Sequence, residues 1–432
     1  MARAGDPILA REVAVSIVQR LHDAGHIAYF AGGCVRDALL GLQPTDFDIA
    51  TDAVPQRIRE LFDHTAEVGA AFGVILVHET APSGRDRVSV EVATFRSDGA
   101  YTDARRPDSV RFSDPQSDAA RRDFTINAIF LNPLSNVCTS EIAEHEGGEV
   151  IDYVGGVDDL RAGIVRAVGD PDQRLAEDHL RALRAIRFTA RLGFTLDPAT
   201  AKAITRHASE LRGVSRERIG EELRRMLLHP RRAAAIALLQ DLTLDAPTLN
   251  EPARTAPLTL LGALTDNFVS VQLALAAWAI DRAGASTTGM GDVDITELTL
   301  RWRRAICLSN EEADHLSQTL RGHQYLIRAW AAAAISRKKR WAGSGWFPGT
   351  VNLVGLANDD LSKKIQQDVR IMEGDGIGLA PVRYLTGNDL IAEGFNPGPM
   401  FRRVLEEIYD AQLEGKVRGR DEAMELARRL NV

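Results

Sequence analysis

The chain has 432 residues, 26% of them charged, and a formal net charge of −8. Its length exceeds what one hydrophobic core supports and implies about two to four domains. No apolar run is long enough to span a bilayer, so no membrane partner is expected, and the acidic total argues against a nucleic-acid partner unless the charge is unevenly placed. It is: residues 161–225 hold fourteen Lys or Arg against nine Asp or Glu, a local +5 that leaves −13 for the remainder. Cys34, Cys138 and Cys307 are few, distant and odd in number, which fits a reducing, cytoplasmic compartment with no disulfide partner and no zinc spacing.

In chain order, residues 8–25 place Ile8, Val13, Ile17 and Leu21 at near-helical spacing and end at Gly25, which predicts an amphipathic helix rather than a secretory leader. His22-Asp23 spells a dipeptide used by metal phosphohydrolases, but no second His/Asp group accompanies it, so it reads as an ordinary helix end. The stretch from Ala28 to Ala50, AYFAGGCVRDALLGLQPTDFDIA, then reads as strand, glycine turn, helix and strand. Gly32-Gly33 removes the Cβ atoms at a helix start, where unsatisfied N–H groups favour an anion, and Arg36 adds a permanent cation. In a strand, Asp46 and Asp48 project from the same face with Phe47 buried on the other. Such a pair of hard oxygen ligands suits a divalent ion whose shell is completed by phosphate oxygens, as magnesium prefers.

PQRIRELF (55–62) predicts a short helix with Pro in its first turn. FGVILVHE (72–79) and RVSVEVATF (87–95) predict a hairpin across a Pro-Ser-Gly turn. Glu91 would stand either beside Asp46 and Asp48 as a third carboxylate or on an exposed edge strand. Residues 97–114, polar and rich in Gly, Pro and Asp, predict a long mobile loop, functional or disordered. In RRDFTINAIFLNP (121–133), Arg122 suits a phosphate and Asp123 a ribose hydroxyl, or the two form an exposed salt bridge. DYVGGVDDL (152–160) is a glycine hinge, after which the composition turns helical. EDHLRALRAIRFTARLGF (177–194) predicts one arginine-dense helix closed by Gly193, with Asp178 and Arg181 on one face and Arg184 and Arg187 drifting round it. Beyond residue 200 the chain is Ala- and Leu-rich helix. Basic clusters at Arg301–Arg304 and Arg337–Arg340 adjoin Trp302 and Trp341, which suit either RNA or a helical core, and 385–417 has a Gly-Pro turn before a helix.

GGCVRD with DFD, RRDFTINA, DYVGGVDDL and EDHLRALRAIRF follow in an order that resembles class II tRNA nucleotidyltransferases, the CCA-adding enzymes, of the family shared with bacterial poly(A) polymerases. The likeness covers most of the first 225 residues and returns at 385–417. It implies an α+β protein: a nucleotidyltransferase head with a small mixed sheet (1–156), then an all-helical neck (157–225), body (226–380) and tail (381–432). Asp46 and Asp48 would hold Mg2+, with Glu91 as a catalytic candidate. Gly32, Gly33, Arg36, Arg122 and Asp123 would meet phosphates and sugar; Asp178 and Arg181 would read the base edge, and Arg184 and Arg187 would complete the nucleotide site. The implied partners are CTP, ATP and the acceptor and TΨC arms of tRNA. Alternatives are an A-adding enzyme, a poly(A) polymerase, or a non-catalytic RNA-binding protein, which would be expected to have lost Asp46 or Asp48.

Overall fold

The structure, a computed structural model, describes residues 6–69, 73–80, 86–99, 109–136, 147–265, 269–291, 293–395 and 399–430. Half of the 97–114 loop (100–108), Cys138 and residues 396–398, which include the glycine of the Gly-Pro turn, lie outside them. The chain forms two units, one of residues 1–226 with 238–253 and one of 227–237 with 254–432.

In the first unit, α1 (Pro7–Asp23) starts where Asp6 accepts from the Ile8 N–H at 3.0 Å and buries Val13, Ile17, Val18 and Leu21 along one stripe. After β1 (Ala28–Ala31), α2 (Gly33–Leu39), β2 (Asp48–Thr51) and α3 (Pro55–Leu61) come β3 (Thr65–Gly69), β4 (Val74–Thr80) and β5 (Arg87–Thr94). A small ribbon of β6 (Arg96–Asp98) and β7 (Val110–Phe112) leads to α4 (Pro115–Ala120), β8 (Phe130–Asn132) and β9 (Glu149–Ile151). The main sheet has seven strands in the order β3-β4-β5-β2-β1-β8-β9, mixed because β2 and β5 run parallel. The β4–β5 hairpin forms at the two runs the sequence marks. Alternation puts Ile75, Val77, Val90 and Val92 inside, and α1 packs on β1, β2 and β5. Phe95 and Phe130 meet edge to face at 5.8 Å beneath the sheet's centre, where truncating either to Ala would cost about 3–5 kcal/mol.

Two expectations for 157–225 fail. The segment is not wholly helical: after α5 (Gly156–Ala162), β10 (Ile164–Val165) pairs in parallel with β11 (Thr195–Leu196). Nor is 177–194 one helix. α6 (Pro171–Glu177) stops, residues 178–180 break the run with Asp178 extended at φ −153°, and α7 (Arg181–Leu192) begins anew. The Asp178 side chain accepts from the Leu180 N–H at 3.0 Å, the local bond that lets aspartate compete with helix. The unit closes with α8 (Pro198–His207), a tight turn (Ala208–Gly213), α9 (Arg216–Leu227) and α11 (Asp245–Leu249), α10 (Arg232–Asp241) intervening.

The second unit is built from α12 (Thr259–Ala263), α13 (Val271–Ala283), α14 (Ile295–Ile306), α15 (Asn310–Arg328), α16 (Ile335–Ala342), α17 (Phe347–Ala357), α18 (Asp359–Glu373), α19 (Gly387–Ala392), α20 (Pro399–Leu413) and α21 (Arg420–Leu430). Trp302 is fully buried against Trp278 at 5.5 Å, whereas Trp341 is partly buried and stacks on exposed Tyr325 at 5.3 Å. The basic cluster beside Trp341 is largely neutralised within the unit. Lys339 meets Asp375 at 2.6 Å, and Arg340 meets Glu406 and Asp410 at 2.5 and 2.6 Å. Among the described residues no helix is long and apolar enough to cross a membrane.

Candidate active site

The site begins where β1 turns into α2. Gly32 holds φ +74°, and a Cβ there would stand 3.1 Å from Arg122 Nη1, so both the turn and the arginine behind it require glycine. β2 starts at Asp48, directly opposite Ala31, which brings its first residue beside the glycine turn. Phe47 points inward onto Phe30 at 5.2 Å, leaving Asp46 and Asp48 exposed. Asp46 precedes the strand instead of lying in it, a correction to the expected strand pair; the alternation about Phe47 survives.

Glu91 lies on β5, an interior strand, in parallel register with Asp48. The edge-strand alternative is therefore out. The Asp48 carboxyl opens on the cleft, yet it is pushed up to about 6, first by burial and then by the charge of Glu91, with Asp46 adding and Arg122 opposing. No Lys or Arg forms an ion pair with Asp46, Asp48 or Glu91 among the described residues. Crowded, uncompensated oxygen ligands of this kind fit a divalent cation. Among the described residues no three His, Cys, Asp or Glu side chains make a complete metal cage, which fits an ion that takes its other ligands from phosphate oxygens and water.

Facing these carboxylates is a cleft of about 700 Å³ lined by eight arginines (Arg36, Arg121, Arg122, Arg181, Arg184, Arg187, Arg191, Arg225) and five aspartates (Asp37, Asp46, Asp48, Asp123, Asp178), with Gly32, Gly33 and Phe188. Most of the arginines are already held. Arg36 is buried, donating to Asp37 Oδ1 at 2.6 and 2.8 Å and to Asn127 Oδ1 at 2.5 Å, and its guanidinium lies 4.9 Å from the Phe188 ring centre. It braces the cleft wall and is not a mobile surface cation. Arg121 and Arg122 share buried Asp118, with closest contacts of 2.6 and 2.9 Å.

Asp123 accepts from Arg184 at 2.6 and 2.8 Å, from Asn127 at 3.1 Å and from the Phe124 N–H at 2.8 Å. Burial works against its charge, but the Arg184 guanidinium and these donors hold it down at about 2. The salt bridge weighed between Arg122 and Asp123 does not form: Arg122 pairs with Asp118, and Asp123 pairs with Arg184. Arg187 donates to Glu222 at 2.5 Å, Arg181 to Glu177 at 2.6 Å and to the Arg174 carbonyl at 2.7 Å, and Arg191 to Asp37 at 2.8 Å. Asp178 accepts from Arg218 at 2.6 Å. Because of the break at 178–180, Asp178 and Arg181 do not share a helix face, although both line the cleft.

Sequence reasoning missed Asp37, Asp118, Asn127, Glu177, Arg218 and Glu222. Asp118 was findable, since it stands three and four residues before the arginine pair at helical spacing. Asn127, Arg218 and Glu222 are joined to the site only by the tertiary fold.

Residues 28–166 match the family described as the poly A polymerase head domain, and residues 193–252 match that described as a probable RNA and SrmB-binding site of polymerase A. The CCA-adding enzyme of Limosilactobacillus fermentum is 31% identical over 410 residues, 94% of this chain and 93% of that one. The chain belongs to the CCA-adding enzyme family. Within it, the enzyme of Anoxybacillus flavithermus is 43% identical over 234 residues, 54% of each chain. The Bacillus stearothermophilus CCA-adding enzyme in complex with CTP has a similar structure, with TM-score 0.75 and 28% identity over 98% of both chains. As in that family, a nucleotidyltransferase head precedes a mostly helical remainder. The arginine helix α7 falls between the two matched segments.

Proposed function

We propose that the chain completes tRNA 3′ ends, adding C and then A from CTP and ATP with release of pyrophosphate. One observation carries the reading: a single cleft sets two carboxylates lacking ion pairs, Asp46 and Asp48, against a wall of arginines, with Glu91 beside Asp48 in the sheet register. The first group suits metal ions and the second a triphosphate and its base, and family membership supports the substrates. The tRNA 3′-hydroxyl attacks the α-phosphorus in line, and pyrophosphate leaves. Asp46 and Asp48 would hold two divalent cations, Mg2+ by the chemistry of their oxygens, which supply a lowered pKa for the attacking hydroxyl and charge for the leaving group. Glu91 keeps the local field negative. Gly32 and Gly33 admit the triphosphate close to the backbone, and Arg122 meets its charge; Arg36 holds the wall that positions it.

Base choice falls to Asp178 and Arg181. An ionised Asp only accepts and Arg only donates. Cytosine and adenine each offer an amino donor beside a ring-nitrogen acceptor, whereas uracil and guanine offer a carbonyl beside a ring N–H. Asp178 turns from Arg218, and Arg181 from Glu177, when a base arrives. Asp123, with Arg184 and Arg187, sets the height of α7 beside the sugar. We assign 1–156 to a catalytic head, 157–225 to the neck, 226–380 to the body and 381–432 to a tail that, with the body, holds the acceptor and TΨC arms of a cytoplasmic tRNA. The test is incubation with tRNA transcripts lacking CCA, lacking only A, or complete, with each labelled triphosphate alone. The reading requires C on the first, A on the second and neither on the third; A addition without C addition would leave an A-adding enzyme.

A further inference from the structure

Behind the 178–180 break lies a cluster that the reaction does not use. His207, the last residue of α8, has Nδ1 2.9 Å from Glu210 Oε2 and Nε2 3.0 Å from Asp172 Oδ1. Carboxylates only accept, so both hydrogen bonds exist together only if both ring nitrogens carry a proton, as in imidazolium. His179, inside the break, stacks on His207 with ring centres 6.4 Å apart and planes 25° apart. Its Nδ1 is 3.3 Å from the same Glu210 oxygen and makes no hydrogen bond among the described residues. From α6 comes Asp172, also paired with Arg206 at 2.5 Å; from the turn after α8, Glu210; from the break, His179 and Asp178.

We propose that His207 is a positioning residue of the nucleotide site: as an imidazolium tying Asp172 to Glu210 it fixes His179, and through it the break that presents Asp178, and it releases them on deprotonation. The proposal rests on the reading of Asp178 as a base-contacting group. The charges agree with it. Burial opposes protonation of His207, but the hydrogen bonds and charges of Glu210 and Asp172 raise its pKa above the ordinary histidine value. His179 moves the other way, first through burial, with the His207 charge also lowering it, so His207 keeps its proton to higher pH than His179. A raised folded pKa means the tie is complete at low pH and is lost as pH rises through that value.

The test follows CTP incorporation from about pH 6.5 to about pH 9, spanning histidine titration, in the wild type, His207→Gln and His207→Arg. In the wild type the KM for CTP should rise roughly tenfold, the change in affinity matching about 1.4 kcal/mol, with kcat on its own separate profile. His207→Gln should give the high-pH KM throughout and His207→Arg the low-pH KM throughout. In the free protein, the backbone amide resonances of Asp178, His179 and Leu180 should titrate with the His207 ring and should stop doing so in both variants. A wild-type KM profile retained by His207→Gln overturns the proposal, as do amides blind to the ring. Absence of incorporation at every pH would instead overturn the functional reading, and the amide titration would still decide the role of His207.

Discussion

The two walls of the cleft differ in how their charges are satisfied. At the sheet, Asp46, Asp48 and Glu91 have no ion pair among the described residues, and Asp48 is pushed up to about 6 by burial and by Glu91. On the arginine side each charge has a partner: Arg184 with Asp123, Arg187 with Glu222, Arg181 with Glu177, Arg218 with Asp178. The first wall is electrostatically incomplete and must recruit cations. The second is complete, so on the proposed reading a ligand binds there by exchanging partners, and a base that offers the wrong donor and acceptor would be rejected.

Removing the incomplete wall should have the largest effect. Asp46→Ala or Asp48→Ala should lower nucleotide transfer by about 10⁴-fold or more, the scale on which a group acting within a catalytic unit is lost. tRNA affinity should persist, because it arises from phosphate contacts elsewhere. Near-normal incorporation by either variant at saturating magnesium would take these residues out of the metal site.

Breaking a pair in the complete wall should show first in stability. Asp123→Ala takes away the closest partner of half-buried Arg184, leaving it Glu222 at 4.0 Å, and should cost about 1–3 kcal/mol, read as a lower midpoint in urea. The pH dependence has a definite sign. Asp123 is held at about 2 in the fold, so its contribution is full above the ordinary aspartate value of about 3.9 and disappears as pH falls through about 2. The variant should therefore lose part of the acid limb of the wild-type stability curve; an unchanged limb would mean that another group controls it.

The incomplete wall was the more legible in sequence. Gly32-Gly33, the alternation about Phe47 and the apolar run of β5 are local signals, and they located three carboxylates that the register Asp48↔Glu91 then brings side by side. The paired wall was legible only as a list of arginines. Which carboxylate each one meets depends on contacts such as Arg187 with Glu222 and Arg184 with Asp123, separated by 35 and 61 residues, and no periodicity encodes them. The break at 178–180 was missed because the arginine spacing runs through it unchanged, while the side chain of Asp178 competes for the Leu180 N–H. Of the tryptophans beside basic clusters, Trp302 went to the core, as helical packing favours, while Trp341 is only partly buried.

If partner exchange is how the complete wall selects a base, Asp178→Ala and Arg181→Ala should each narrow the preference for CTP and ATP over UTP and GTP by about 10- to 100-fold, the equivalent of roughly 1–3 kcal/mol for an unpaired polar group. The measurement is kcat/KM for all four triphosphates. A uniform fall in rate at constant selectivity would mean that these residues only place α7.

The smallest and sharpest expectation concerns protons at the incomplete wall. A metal ion and a proton compete for the Asp48 carboxylate, so affinity for Mn2+ as a probe should be level above about pH 6 and fall by up to about tenfold per pH unit below it. Glu91→Gln removes one of the charges that raise Asp48. Its carboxyl should then move back toward the ordinary range, and the inflection of the affinity profile should move to lower pH even if affinity itself weakens. Asp48→Asn, which cannot titrate, should abolish the inflection. These two variants separate roles that loss of activity would confuse: a Glu91 that only fills an interior strand would leave the inflection where it was, whereas one that sets the field at the metal site must shift it.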